Sequence, residues 1–132
     1  MLSHADGEWV KILDAQSLNS GNEEPTSAFT LLEQTASLGW LCTAAEWKLS
    51  ITGAATDDVT MRLYGAPGGV AASQSSEAKQ VATLSCAAID PYLADGVWNW
   101  DEIGSGALVT FQRTGSESGI AVTMWIRRLR WH

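Results

Sequence analysis

Apolar side chains recur at every second position in several separate stretches of this chain, and that period narrows the fold more than any other feature. On a β-strand successive side chains point to opposite faces, so a period of two gives one buried face and one wet face. In Glu46 to Thr52, Trp47, Leu49 and Ile51 share one face, while Glu46, Lys48, Ser50 and Thr52 share the other. Val59, Met61 and Leu63 alternate with Thr60, Arg62 and Tyr64, and Ala107, Val109 and Phe111 alternate with Leu108, Thr110 and Gln112. The clearest series sets Ile120, Val122, Met124 and Ile126 against Ala121, Thr123, Trp125 and Arg127. Weaker patterns place strands at Glu8 to Asp14, Ala28 to Gln34, Lys79 to Cys86 and Gly96 to Asp101, which makes about eight in all. Turn-formers separate them at Asn19 to Pro25, Gly53 to Asp58, Gly65 to Gly69, Gly104 to Gly106 and Thr114 to Gly119. There Gly supplies positive backbone angles and Asn or Asp bonds its own backbone. Ala71 to Ala78 reads as a short helix or a polar loop.

A chain of 132 residues falls in the size range of one domain with a single core. Residues 1–132 are therefore read as one all-β domain, with 1–27 as an N-terminal arm plus first strand. About eight antiparallel strands pair as two four-stranded sheets, the strand count of a jelly roll. The expected core is Trp47, Leu49, Ile51, Val59, Met61, Leu63, Val109, Phe111, Ile120, Val122 and Met124. An immunoglobulin-like sandwich is the alternative, since Cys42, Cys86 and Trp47 loosely match its disulfide and packing Trp. That match fails in detail, because Trp47 follows Cys42 too closely and Leu84 stands where a Tyr is required. The two cysteines are read as free buried thiols.

Fifteen acidic residues against eight basic ones give a formal charge of -7, which repels phosphate backbones and anionic lipid. Nucleic acid and membrane are thus not expected partners. The start, Met1 to Lys11, has neither the basic flank nor the apolar run of a signal peptide, so synthesis in a cytoplasm with no ordinary route of secretion is the expectation. No enzymatic activity is expected either. Catalytic constellations most often rely on a His base, and His4 and His132 both stand at the ends of the chain. No close Cys/His spacing suits zinc, and no cofactor motif is present in the Ala66 to Gly69 stretch, which lacks the Lys and Ser or Thr of a phosphate loop. Asp57 with Asp58, and Asp101 with Glu102, are read as solvated loop acids rather than a glycosidase dyad or calcium site.

Seven tryptophans carry the remaining functional content. Trp98 and Trp100 flank Asn99 and share a face, so with Asp101 they form a candidate ligand platform. Trp125 falls on the polar face of the last strand, and it is followed by Arg127, Arg128, Arg130 and Trp131. Arg and Trp dominate interface hot spots, so these five residues form a candidate anchoring surface on an acidic neighbour. An exposed Trp125 also implies self-association, with a trimer expected.

The segments Trp47 to Gly53, Val59 to Gly65 (VTMRLYG) and Gly106 to Arg127 (GALVTFQRTGSESGIAVTMWIR) resemble small β-sandwich virion proteins of tailed bacteriophages, of the capsid decoration or cement type. The resemblance covers roughly the C-terminal two-thirds of the chain, and no residue-level functional motif carries over. It implies a jelly-roll-like domain, often trimeric, that is located in the virion on the capsid surface, where it binds the major capsid protein or another virion subunit and braces the outer capsid lattice. The competing expectation is a carbohydrate-binding module or lectin-like head, in which Trp98, Trp100 or Trp125 stacks on a sugar ring beside hydrogen-bonding groups.

Overall fold

The computed structural model describes residues 4–6, 9–18, 21–30, 41–65, 78, 80–99 and 106–131, with the backbone alone for 4–6, 24–30, 41–43, 65, 106–107, 128 and 130–131. The described residues form nine strands: β1 (His4–Asp6), β2 (Val10–Ser17), β3 (Glu24–Thr30), β4 (Leu41–Thr52), β5 (Val59–Gly65), β6 (Gln80–Leu84), β7 (Tyr92–Asn99), β8 (Gly106–Arg113) and β9 (Ala121–Trp131). The two longest, β4 and β9, contain the two clearest alternating series and pair with each other from Thr52–Ala121 to Leu41–Trp131.

Every pairing is antiparallel. Sheet A runs β1–β9–β4–β7, with β2 also on β9; sheet B runs β3–β8–β5–β6. Because β4 occupies one side of β9 along its length, β1 and β2 lie end to end on the other side. They act as one interrupted edge strand, so the sandwich is two layers of four. All connections cross between the layers except the one joining β5 and β6, which is the winding of a jelly roll. The chain is an all-β, jelly-roll-like sandwich, as the alternation predicts.

Between the layers lie Trp47, Leu49 and Ile51 of β4, Val122 and Met124 of β9, Val59, Met61 and Leu63 of β5, and Val109 and Phe111 of β8, together with Ile120 beside β9; all are buried. Leu18 and Leu84 complete this core. Cys86 is a free, fully buried thiol, and burial pushes its pKa up; the side chain of Cys42 lies outside the described residues. Trp98 also belongs to the core. Its ring stacks on Trp47 with centroids 5.4 Å apart and planes 29° apart. That packing depends on Gly96, which faces Trp47 across the β4–β7 pair. A Cβ at Gly96 would lie 2.7 Å from the Trp47 ring.

Strand limits differ from expectation where tertiary pairing outruns local pattern. β7 begins at Tyr92, four residues before the expected Gly96, and β9 continues past Arg127 to Trp131 because β1 and β4 pair with its end. β3 begins at Glu24, inside a stretch read as a turn. Pro25 is tolerated there because β3 is a sheet edge and its register shifts between Glu24 and Ser27. The stretch Ala71 to Glu77 lies outside the described residues.

Candidate functional site

The two outer faces of the sandwich are finished differently. On sheet B, Tyr64, Leu108 and Thr110 point outward yet are buried. Tyr64 Oη and Thr110 Oγ1 donate to the Glu23 carboxylate at 2.6 and 2.8 Å, and the Arg62 guanidinium lies 3.8 Å from it. Burial of Glu23 works against its ionisation, but these hydrogen bonds and the Arg62 charge outweigh it and hold its pKa below the ordinary value. Arg62 also donates to Gln112 Oε1 at 2.6 Å, and Gln112 Nε2 donates to the Gly21 carbonyl at 2.6 Å. This face is closed by the chain's own hydrogen bonds; Val81, on the edge strand β6, is its exposed large apolar side chain.

Sheet A keeps an open outer face, and the strand register arranges it in rows. One row runs Lys11, Trp125, Lys48, Asp95 across β2, β9, β4 and β7. The row on one side holds Arg127, Glu46 and Val97, and the row on the other side holds Thr123, Ser50 and Leu93. Along β7, Leu93 is 70% exposed and Val97 is 48% exposed. Trp125 is half-buried. Sequence reasoning missed Trp9, which sits in the break between β1 and β2 and lies over the face. The Lys48 ammonium is 4.3 Å from its ring centroid, and the Arg127 guanidinium carbon is 4.7 Å from it. Lys48 and Lys11 also approach the Trp125 ring, at 5.3 and 5.8 Å. Each such contact at an exposed site contributes about 0.5–1 kcal/mol.

Beside Trp125 the face dips into a groove of about 550 Å³, lined by Lys48, Ser50, Leu93, Asp95 and Trp125 with backbone at Leu49 and Ala94. The dip follows from residue size. Ser50 is short, with Leu93 directly across on β7 and Trp125 diagonally placed on β9, so two larger side chains rise beside a low floor.

The expected anchoring residues are positioned by β9, and the end of that strand is not a loose tail. Arg130 and Trp131 pair with Ala5 and His4 on one side and with Cys42 and Leu41 on the other. His4, though at the end of the chain, thus stands in a sheet. Arg127 is committed within the chain: its Nε donates to Glu46 Oε1 at 2.5 Å. The side chains of Arg128, Arg130 and Trp131 lie outside the described residues. The candidate ligand platform needs correction. Trp98 is 1% exposed and stacked on Trp47 in the core, so it cannot hold a ligand, and Asn99 is exposed on the opposite face of β7. Trp100, Asp101 and Glu102 lie outside the described residues.

Asp57 and Asp58 are not solvated loop acids. Asp57 is buried, and its carboxylate accepts the backbone N–H groups of Glu117 and Gly115 at 2.9 and 3.2 Å. In return the Glu117 carboxylate accepts those of Ala55, Thr56 and Asp57 at 2.7, 3.1 and 3.0 Å. Asp58 accepts the N–H of Ala87 at 3.1 Å. Asp57 and Glu117 join the β4–β5 and β8–β9 loops, and Asp58 ties the β4–β5 loop to the β6–β7 loop. Among the described residues no group of three or more His, Cys, Asp or Glu side chains is placed to hold a metal ion.

No protein-family description matches the sequence, and no curated protein matches it. Among solved structures, the chain is similar to a protein of Bacillus endospore appendages, described as a family of disulfide-linked pili, at 11% identity and TM-score 0.45, covering 98% of this chain and 87% of that one. It is similar to a chain of Desmodium yellow mottle tymovirus at 10% identity and TM-score 0.44, covering 98% and 81%. It is also similar to the CBM22-1 xylan-binding domain from Paenibacillus barcinonensis Xyn10C at 13% identity and TM-score 0.46, covering 98% and 85%. The functional reading therefore rests on the outer face of sheet A.

Proposed function

We propose that this chain is a non-catalytic structural subunit of the capsid decoration type, which self-associates and attaches to a virion lattice through the outer face of sheet A. The supporting observation is the contrast between the two outer faces. Sheet B is closed by the network around Glu23, whereas sheet A leaves Leu93 and Val97 in water beside Trp125. An exposed apolar strip next to aromatic and cationic side chains is the composition of an interface rather than of a solvated surface. The strip lies on β7, which among the described residues is an edge strand of sheet A. The formal charge of -7 disfavours nucleic acid and anionic lipid as the surface that receives it. In this reading the partner is a second copy of the chain and a lattice subunit such as the major capsid protein, in a trimer on the particle surface.

Sedimentation velocity of the wild type and of a Leu93→Ser, Val97→Ser double variant tests this reading. The wild type is expected to sediment as a trimer at micromolar concentration and the variant as a monomer, while Val81→Ser on sheet B changes nothing. A monomeric wild type, or an unchanged double variant, would remove the proposal of self-association through this face.

A further inference from the structure

We infer that the groove between β4, β7 and β9 is a binding site for a neutral, hydroxyl-rich oligosaccharide. The inference rests on sheet A's outer face being the attachment face, and it names the chemistry taken by one part of that face. The groove's volume of about 550 Å³ lies within the range of small-ligand sites, about 300–1,000 Å³.

Three polar side chains converge on it, and none forms a hydrogen bond or ion pair with another described residue: Lys48, Ser50 and Asp95. Lys48 can only donate, Asp95 can only accept when ionised, and Ser50 does both. This set discriminates by charge. An anionic ligand meets Asp95 and a chain of charge -7, whereas a cationic one meets Lys48 with Lys11 nearby. A sugar hydroxyl accepts from Lys48 and donates to Asp95 with no charge of its own, so adjacent hydroxyls of a pyranose satisfy both.

The apolar walls suit the same ligand. Trp125 and Leu93 both line the groove beside Ser50 and can receive the C–H face of a sugar ring. Lys48 lies 4.3 Å from the Trp9 ring centroid, while Lys48 and Lys11 approach the Trp125 ring at 5.3 and 5.8 Å, and Trp125 lines the groove.

The test is isothermal titration calorimetry of the full chain with cellohexaose, mannohexaose and maltohexaose, with hexagalacturonate as the anionic counterpart. At least one neutral hexaose is expected to bind and to shift the Trp125 indole N–H signal in NMR spectra. Trp125→Ala should weaken binding about tenfold, a loss of about 1.4 kcal/mol. Asp95→Ala and Ser50→Val alter exposed or half-buried positions and keep the question answerable if Trp125→Ala does not fold; each should also weaken binding. Val97→Ser lies outside the groove and should leave sugar binding unchanged while weakening self-association. No binding of any neutral hexaose, stronger binding of hexagalacturonate, or indifference to all three groove substitutions would overturn the inference. Loss of sugar binding with self-association still sensitive to Val97→Ser would remove the sugar site alone and leave the attachment face standing.

Discussion

Gly96 carries a packing duty that no other residue type can meet, because the Trp47 indole lies against its Cα and stacks on Trp98. Trp47 is buried and cannot swing away, so Gly96→Ala is expected to cost about 1–3 kcal/mol through overpacking, read as a lower urea midpoint with an unchanged m-value. Phe111, fully buried between the sheets, sets the opposite limit: Phe111→Ala should cost about 3–5 kcal/mol through lost transfer energy and an unfilled cavity. At Cys86 the burial that raises the thiol pKa also excludes reagents. Alkylation followed by peptide mapping should find this thiol unmodified in the native protein and modified in denaturant.

At the scale of elements, the β4–β5 and β8–β9 loops are tied by two carboxylates that accept each other's backbone N–H groups. Gly53 and Gly119 both have positive φ, 79° and 89°, and a Cβ on Gly53 would run into the Gly119 carbonyl, so the loops close only with glycine there. The Asp57 N–H, then those of Thr56 and Ala55, hold the Glu117 carboxyl below its ordinary pKa against a smaller opposing effect of desolvation. The sign of the pH dependence follows. A depressed folded pKa contributes stability fully present above the unfolded value of about 4.3 and lost as pH falls through the lower folded value. The melting temperature should therefore fall on acidification below that value, and Glu117→Gln should flatten the fall; an identical acid profile in the variant would contradict the clamp. The strands were far more legible than these loops. Alternation in β4, β5, β8 and β9 reports burial directly, whereas the partnership of Asp57 with Glu117 joins residues sixty positions apart and leaves no local pattern. Gly96 to Asp101 misled for a different reason. Val97 and Trp98 are both apolar, so parity alone does not say which faces the core, and the structure puts Trp98 inside and Val97 outside.

For the whole molecule, topology assembles the working face from segments that are distant in sequence: Trp9 and Lys11, Lys48 and Ser50, Leu93 to Val97, and Trp125. Trp125 was legible because a large aromatic interrupted an otherwise polar strand face. Asp95 and Leu93 were not, since the expected strand began after them, and Lys48 gained its meaning only when β9 and the β1–β2 break placed two indoles beside it. The polar closure of sheet B was equally hidden, because Tyr64 and Thr110 occupy positions of outward parity and are buried by contacts with Glu23. In the proposed function sheet A, and not sheet B, is the attachment face. The decisive experiment records backbone amide and Trp indole NMR signals while the protein is diluted through the association range. The shifts are expected to concentrate on Leu93 and Val97 along β7, with Val81, Arg62 and Tyr64 unmoved; shifts centred on those three sheet B residues, or none at any concentration, would contradict that assignment.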